Sequence, residues 1–135
     1  LGDRANYFWP VKSLTEAGAL VFYGSDWPAV VPDTNPWPGI EAMISREDPY
    51  GKNPGKYWPE QAVDLKAALR IFTINGAIAG KQEKTTGSLE AGKRADFIIL
   101  ESNIFEIPTA ALSDVQVLQT FVDGEAVFQR VPAGE

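Results

Sequence analysis

GALVFYGSDWP, residues 18–28, is the stretch from which the architecture can be worked out. Ala19 to Tyr23 is a short unbroken apolar run with β-branched and aromatic side chains, bounded by Gly18 and Gly24. A run of that length and composition reads as a strand covered on both faces, of the kind found in parallel sheets. It stops at Gly24-Ser25-Asp26, which puts a carboxylate where the strand ends. In α/β proteins the C-terminal ends of parallel strands hold the reacting groups, because the loops there vary while the strands stay rigid. Asp26 is therefore the first candidate for chemistry. The competing reading is that it only caps the turn before Trp27 and Pro28.

Upstream, Lys12 to Ala17 reads as a short helix that Gly18 ends in the left-handed conformation. A helix, a glycine and a buried strand make one αβ step, and no second strand of the same kind follows, so this is expected to be the last step of a parallel sheet. Tyr7, Phe8 and Trp9, ahead of Pro10, either pack on a neighbouring element or wall a substrate pocket. Downstream the chain changes character. Eight of the ten prolines lie from Pro10 to Pro59, and Trp27, Trp37 and Trp58 are three of the four tryptophans. Linkers are poor in large aromatics, so residues 27–59 read as an elaborated loop folded over something. Within it, Ile40, Met43 and Ile44 share one face of a helix over Gly39–Glu47, started by Asn35-Pro36 and stopped near Pro49. Arg46 falls in the last turn. It either complements the helix C-terminus or binds a carboxylate or other polar substrate group through its planar fork.

The clearest helix opens at Asp64, a good N-cap, with Leu65, Ala68, Leu69 and Phe72 on one face and Lys66 and Arg70 outward. A second helical segment follows over Ile74–Gly80, where Gly76, Ala77 and Ala79 permit close approach to a neighbour and Thr73 and Asn75 are expected to cap locally. Beyond Gly80 the period changes. Lys81–Thr86 is a polar connector, Glu90–Lys93 a tight turn in which Gly92 takes a positive φ, and Ala95–Leu100 a strand expected to be covered on both faces. Asn103–Leu112 is irregular. Val115–Val122 and Glu125–Val131 are strands joined by Asp123-Gly124, which favours a type I′ hairpin. The expected division is residues 1–84, strand and helices, and residues 85–135, a small β unit with a structural role.

Composition narrows the chemistry. The 135 residues include no cysteine and no histidine, which removes thiol nucleophiles, disulfides, imidazole proton shuttles and the commonest metal ligand. The net charge is −6, and from Glu101 onward Arg130 is the one base against six acids, so no nucleic-acid partner is expected. No apolar run is long enough to span a bilayer and no signal segment is visible; the expectation is no membrane and a cytoplasmic location. The chain begins at Leu1 and its one methionine is Met43, which reads as a processed, tagged or truncated product.

GSDWP at a strand end, the helical ALRIFTINGAIAG (68–80), GSLEAGKRADFIILE (87–101) and the hairpin VLQTFVDGEAVF (117–128) together resemble the C-terminal part of the family 3 amidohydrolases, metal-dependent enzymes that include formamide deformylases. The resemblance runs from about Arg4 to Val131. It implies an α/β fold: the C-terminal fragment of a (β/α)8 barrel with a metal centre at the strand mouths, followed by part of a small β-sandwich built from strands before and after the barrel. Ala19–Gly24 then corresponds to the eighth barrel strand. Asp26 matches the aspartate that binds the metal and takes the proton from the attacking water, while Trp27, Asn35 and Arg46 become candidate substrate-pocket residues.

By the same resemblance the other metal ligands lie upstream, and none is in this sequence. One aspartate does not hold a catalytic zinc, which wants three protein ligands and an open position. The implied function is that of a fragment of a hydrolase acting on non-peptide carbon-nitrogen bonds, with a divalent metal, zinc, and a small-molecule substrate in the full-length protein. The chain alone is expected to bind no metal tightly and to be inactive. Its exposed edges are expected to be covered by the upstream part of the same protein or by further copies of itself. The alternative is a non-catalytic structural or protein-interaction module.

Overall fold

The computed structural model describes residues 2–29 and 31–131, apart from the side chains of Asn6 and Tyr7. The chain is α/β, as expected. Helices α1 (Val11–Glu16), α2 (Trp37–Ser45), α3 (Leu65–Phe72) and α4 (Ile74–Ala79) precede strands β1 (Phe97–Leu100), β2 (Val117–Val122) and β3 (Glu125–Gln129). Of the N-terminal aromatics, Phe8 packs against Trp9 and against Trp58, each at 5.6 Å between ring centres; the Tyr7 side chain lies outside the described residues.

Each helix has a local cause. Asp64 caps α3 by accepting the Ala67 N–H at 2.7 Å, and α3 buries Ala68 and Ile71. Helix α2 starts at Trp37, two residues before the expected Gly39. Asn35 Oδ1 accepts the Trp37 N–H at 3.1 Å, and Pro38 sits in the first turn, where its missing N–H costs nothing. At the other end Arg46 takes a left-handed φ of 60° without being glycine.

The strands form one antiparallel sheet in the order β1-β2-β3. Asp123 and Gly124 have φ of 54° and 82°, the pair of positive values that a type I′ turn requires. Phe97 and Phe121 stand opposite each other in the β1/β2 register and stack at 4.4 Å. Asp96 fastens this turn from outside. Its Oδ1 accepts the Asp123 N–H at 2.8 Å and its Oδ2 accepts the Thr86 hydroxyl at 3.1 Å, so one carboxylate ties the hairpin to the connector.

The core lies between the helices and the segment before β2. Trp37 and Ile40 of α2 and Ala68 of α3 are buried together with Leu112 and Val115, and Leu100, Ile104 and Ile107 pack against them. One apolar cluster thus crosses the expected division at residues 84/85. Glu41, also buried, accepts the Ser113 N–H at 2.8 Å and stitches α2 to the same segment.

Three expectations are corrected. Residues 19–23 form no strand, because a strand is completed by a hydrogen-bonded neighbour and none of the described residues supplies one beside them. In β1, Ile98 and Ile99 are 43% and 41% exposed rather than covered on both faces. Of the small residues expected to permit close approach, Ala77 does, since a Cβ on Gly87 would lie 2.5 Å from Ala77 Cβ, whereas a Cβ on Gly76 would meet nothing within 4 Å.

Candidate active-site segment

Residues 18–28 leave α1 through Gly18, whose φ is 83°, and run alongside α3 and α4. Although no strand is formed, exposure alternates as in extended chain: Val21, Tyr23 and Ser25 are half-buried, while Leu20, Phe22, Gly24 and Asp26 are exposed. Two hydrogen bonds hold the covered side. The Tyr23 N–H donates to Ile71 O at 3.3 Å, and Asn75 Nδ2 donates to Val21 O at 2.7 Å. The Tyr23 ring stacks on Phe72 at 4.0 Å, and both side chains close on Gly39 of α2, where an added Cβ would lie 3.0 Å from Phe72 Cζ and 3.0 Å from the Tyr23 hydroxyl oxygen. Burial, then the neighbouring Tyr50, raises the Tyr23 phenol above its ordinary value. Tyr23 is therefore a neutral hydroxyl near pH 7, unsuited to act as a base.

The segment ends in a tight turn. Ser25 Oγ accepts the Trp27 N–H at 3.3 Å, Asp26 O accepts the Ala29 N–H at 2.8 Å, and the Trp27-Pro28 peptide is cis. Asp26 sits at φ 54°, a left-handed conformation that Asp tolerates better than most residues. The turn is closed by the backbone carbonyl of Asp26 and the hydroxyl of Ser25. The Asp26 carboxylate itself makes no hydrogen bond among the described residues and is exposed, as is the Trp27 ring beside it. Among the described residues, then, capping of the turn does not use this carboxylate.

Asn35 and Arg46, the other two candidates, make hydrogen bonds of their own. They flank opposite ends of α2, whose nine residues span about 13.5 Å at about 1.5 Å per residue. Asn35 spends its Oδ1 on the start of the helix, as described. Arg46 Nε donates to Tyr57 O at 3.0 Å while the Tyr57 N–H donates to Arg46 O at 2.8 Å, which closes the loop between them. Burial lowers the Arg46 pKa and Glu60 partly restores it. No hydrogen bond among the described residues joins either side chain to Asp26 or Trp27. Asn75 was missed as a long-range contact by reading it as a local cap. The signal was an amide placed among small residues, on a helix next to the segment it reaches.

The family model described as "Amidohydrolase family" matches residues 2–128. The chain belongs to the amidohydrolase family. It is 35% identical over 122 residues to the N-substituted formamide deformylase of Arthrobacter pascens, covering 90% of this chain and 22% of that protein. Among solved structures it resembles an amidohydrolase from Thermotoga maritima MSB8, with a TM-score of 0.65 at 23% identity over 90% of this chain and 26% of that one. It also resembles an enamidase, with a TM-score of 0.63 at 20% identity over 96% and 32%. At such identities the two structures show the fold alone. The chain spans about a fifth of the length of the curated relatives it matches, 22% for the deformylase.

Proposed function

We propose that the protein containing this chain hydrolyses non-peptide carbon-nitrogen bonds, as in amides, formamides, ureas or cyclic amides, and that Asp26 is its general base and one of its metal ligands. The observation that carries this reading is the free, exposed carboxylate of Asp26 at the end of a segment held against α3 and α4, in a chain of the amidohydrolase family.

Among the described residues no three His, Cys, Asp or Glu side chains group as a metal site would require. The described residues by themselves therefore do not fit a catalytic metal; Asp26 fits one place in a ligand set completed by the rest of the protein. A divalent ion held there, zinc in this reading, would acidify a bound water. Asp26 accepts a proton from the attacking water as the water oxygen bonds to the carbonyl carbon, and returns it to the nitrogen as the carbon-nitrogen bond breaks. For an N-substituted formamide the products are the amine and formate. The exposed Trp27 ring contributes an apolar wall, while Asn35 and Arg46 contribute by holding the ends of α2 and the loop that follow the site. On this reading the isolated chain is inactive.

The test is Asp26→Asn in the full-length protein, with formate release from an N-substituted formamide as the readout alongside a panel of amides and ureas. Loss of about 100- to 10,000-fold in kcat with an unchanged melting temperature is expected. Activity retained within a few fold, or a wild-type protein inert to the whole panel, would overturn the reading in favour of a non-catalytic module.

A further inference from the structure

We infer that Gly39 of α2 is a positioning residue for the Asp26 turn and acts through Tyr23, an inference that rests on the reading of Asp26 given above. A Cβ built on Gly39 lies 3.0 Å from Phe72 Cζ, 3.0 Å from the Tyr23 hydroxyl oxygen and 3.1 Å from Tyr23 Cζ. Carbon atoms rest about 3.5–4.0 Å apart, so a methyl group there demands a movement of about 0.5 Å. Neither ring is free to swing aside, because the two stack on each other at 4.0 Å with 18° between their planes. Phe72 is the last residue of α3 and packs on the core. Tyr23 stands three residues before Asp26, in the segment that ends in the turn.

Helix α2 has little room to retreat. At about 100° per residue, Trp37 and Glu41 fall on roughly the opposite face from Gly39. That face is held by the segment before β2: Trp37 is buried with Leu112 and Val115, and Glu41 accepts the Ser113 N–H at 2.8 Å. The helix is therefore gripped on two sides by contacts made within the described residues. Strand neighbours on either edge of residues 19–24 would leave the grip unchanged, since the Tyr23 ring projects toward α2 and α3 from a face of the segment and not from an edge. The chain that leaves the Asp26 turn enters α2 at once after Asn35, whose Oδ1 accepts the Trp37 N–H. The Gly39 notch thus sets how far α2 stands from the segment, and with that spacing the placement of the turn that carries Asp26 and Trp27.

The experiment uses the full-length protein carrying Gly39→Ala, Tyr23→Leu, both together, Gly87→Ala or Asp26→Asn. It reads formate release from an N-substituted formamide, and hydrogen exchange at the Ala29 N–H, which Asp26 O accepts at 2.8 Å. A misplacement near 1 Å costs about 100-fold, so a shift of about 0.5 Å in Gly39→Ala should lower kcat about 3- to 30-fold with KM held within about threefold. Exchange at Ala29 should quicken. Tyr23→Leu empties the notch without overpacking it and should also lower kcat. In the double variant the leucine makes room for the methyl group, so kcat should exceed the product of the two single effects. Gly87→Ala, overpacked against α4 instead, should keep kcat within about twofold of wild type. A Gly39→Ala kcat within about twofold of wild type, a loss equalled by Gly87→Ala, or single effects that simply multiply would each overturn the inference, and an inactive Asp26→Asn beside them leaves the reading of Asp26 standing. If Gly39→Ala does not fold, Tyr23→Leu decides, and a kcat within about twofold of wild type overturns the inference. Should Asp26→Asn stay active or the wild type be inert, the functional reading fails and exchange at Ala29 decides separately: unchanged in the variants, it overturns the role of Gly39; quickened, it upholds Gly39 as the residue that holds the turn.

Discussion

Two glycines that look alike in sequence are placed so differently that alanine at each should move stability in opposite directions. Gly87 has φ +88°, and a Cβ built there lies 2.5 Å from Ala77 Cβ, 3.1 Å from Ile74 Cα and 3.2 Å from Ile74 Cδ1. The first two of those atoms are not the far ends of flexible side chains, so the connector or α4 must shift. A left-handed L residue costs about 1–2 kcal/mol. Overpacking adds about 1–3 kcal/mol, giving a loss of about 2–5 kcal/mol for Gly87→Ala. Gly76 lies in α4 with nothing within 4 Å of an added Cβ. Gly76→Ala should therefore stabilise by about 0.5–1 kcal/mol through helix propensity alone. Urea titration followed by tryptophan fluorescence reads both. With a slope of about 2 kcal/mol per molar, the midpoint falls by about 1–2.5 M for Gly87→Ala and rises by about 0.3–0.5 M for Gly76→Ala. Adding Ala77→Gly to Gly87→Ala removes the shortest contact and should return part of the loss, a coupling that two independent sites would not show. A Gly87→Ala midpoint equal to wild type, or a larger loss at Gly76 than at Gly87, would refute the packing argument.

Glu41→Ala leaves the Ser113 N–H without its acceptor and should cost about 1–3 kcal/mol, whereas Glu41→Gln keeps an acceptor oxygen and should cost less, both measured by the same titration. Asp48 accepts the Tyr50 N–H at 2.9 Å and both the N–H and the side-chain amide of Asn53, and the Tyr50 bond, then the Asn53 amide, hold its carboxyl below the usual range. A depressed folded value means that the contribution is present above the ordinary aspartate pKa of about 3.9 and is lost as pH falls through the lower folded value. Amide exchange in residues 48–53 should accordingly quicken at acid pH in the wild type and show no such step in Asp48→Asn.

What could be read from the sequence was what neighbours in sequence decide. The Asp64 cap, the apolar face of α3, the left-handed Gly18 and the Asp123-Gly124 hairpin all follow from side chains acting within a few residues. Local signals did less well where the partner is distant. Asn75 reads as a cap by proximity, yet its amide is used 54 residues away. Asp96 has no local signature either, and its role exists only because the 123–124 turn returns to it. Of the candidate site residues, Asp26 and Trp27 are adjacent in sequence and so in space. Asn35 and Arg46 were gathered with them by a shared loop, and α2 holds those two apart.

The apolar run 19–23 joins these two kinds of information. Its composition specifies burial on both faces, and the described residues cover one: Tyr23 is stacked on Phe72, while Leu20 and Phe22 remain 45% and 56% exposed. β-Branched and aromatic residues record the surroundings for which a segment is suited, whether or not those surroundings are supplied by nearby chain. The same holds for Ile98 and Ile99 in β1. Among the described residues the covered side of the 19–23 run is held by one backbone bond to α3, one side-chain amide from α4 and one ring stack, each made by a residue about 50 positions away, so the half of the run's surroundings that is supplied comes from distant chain.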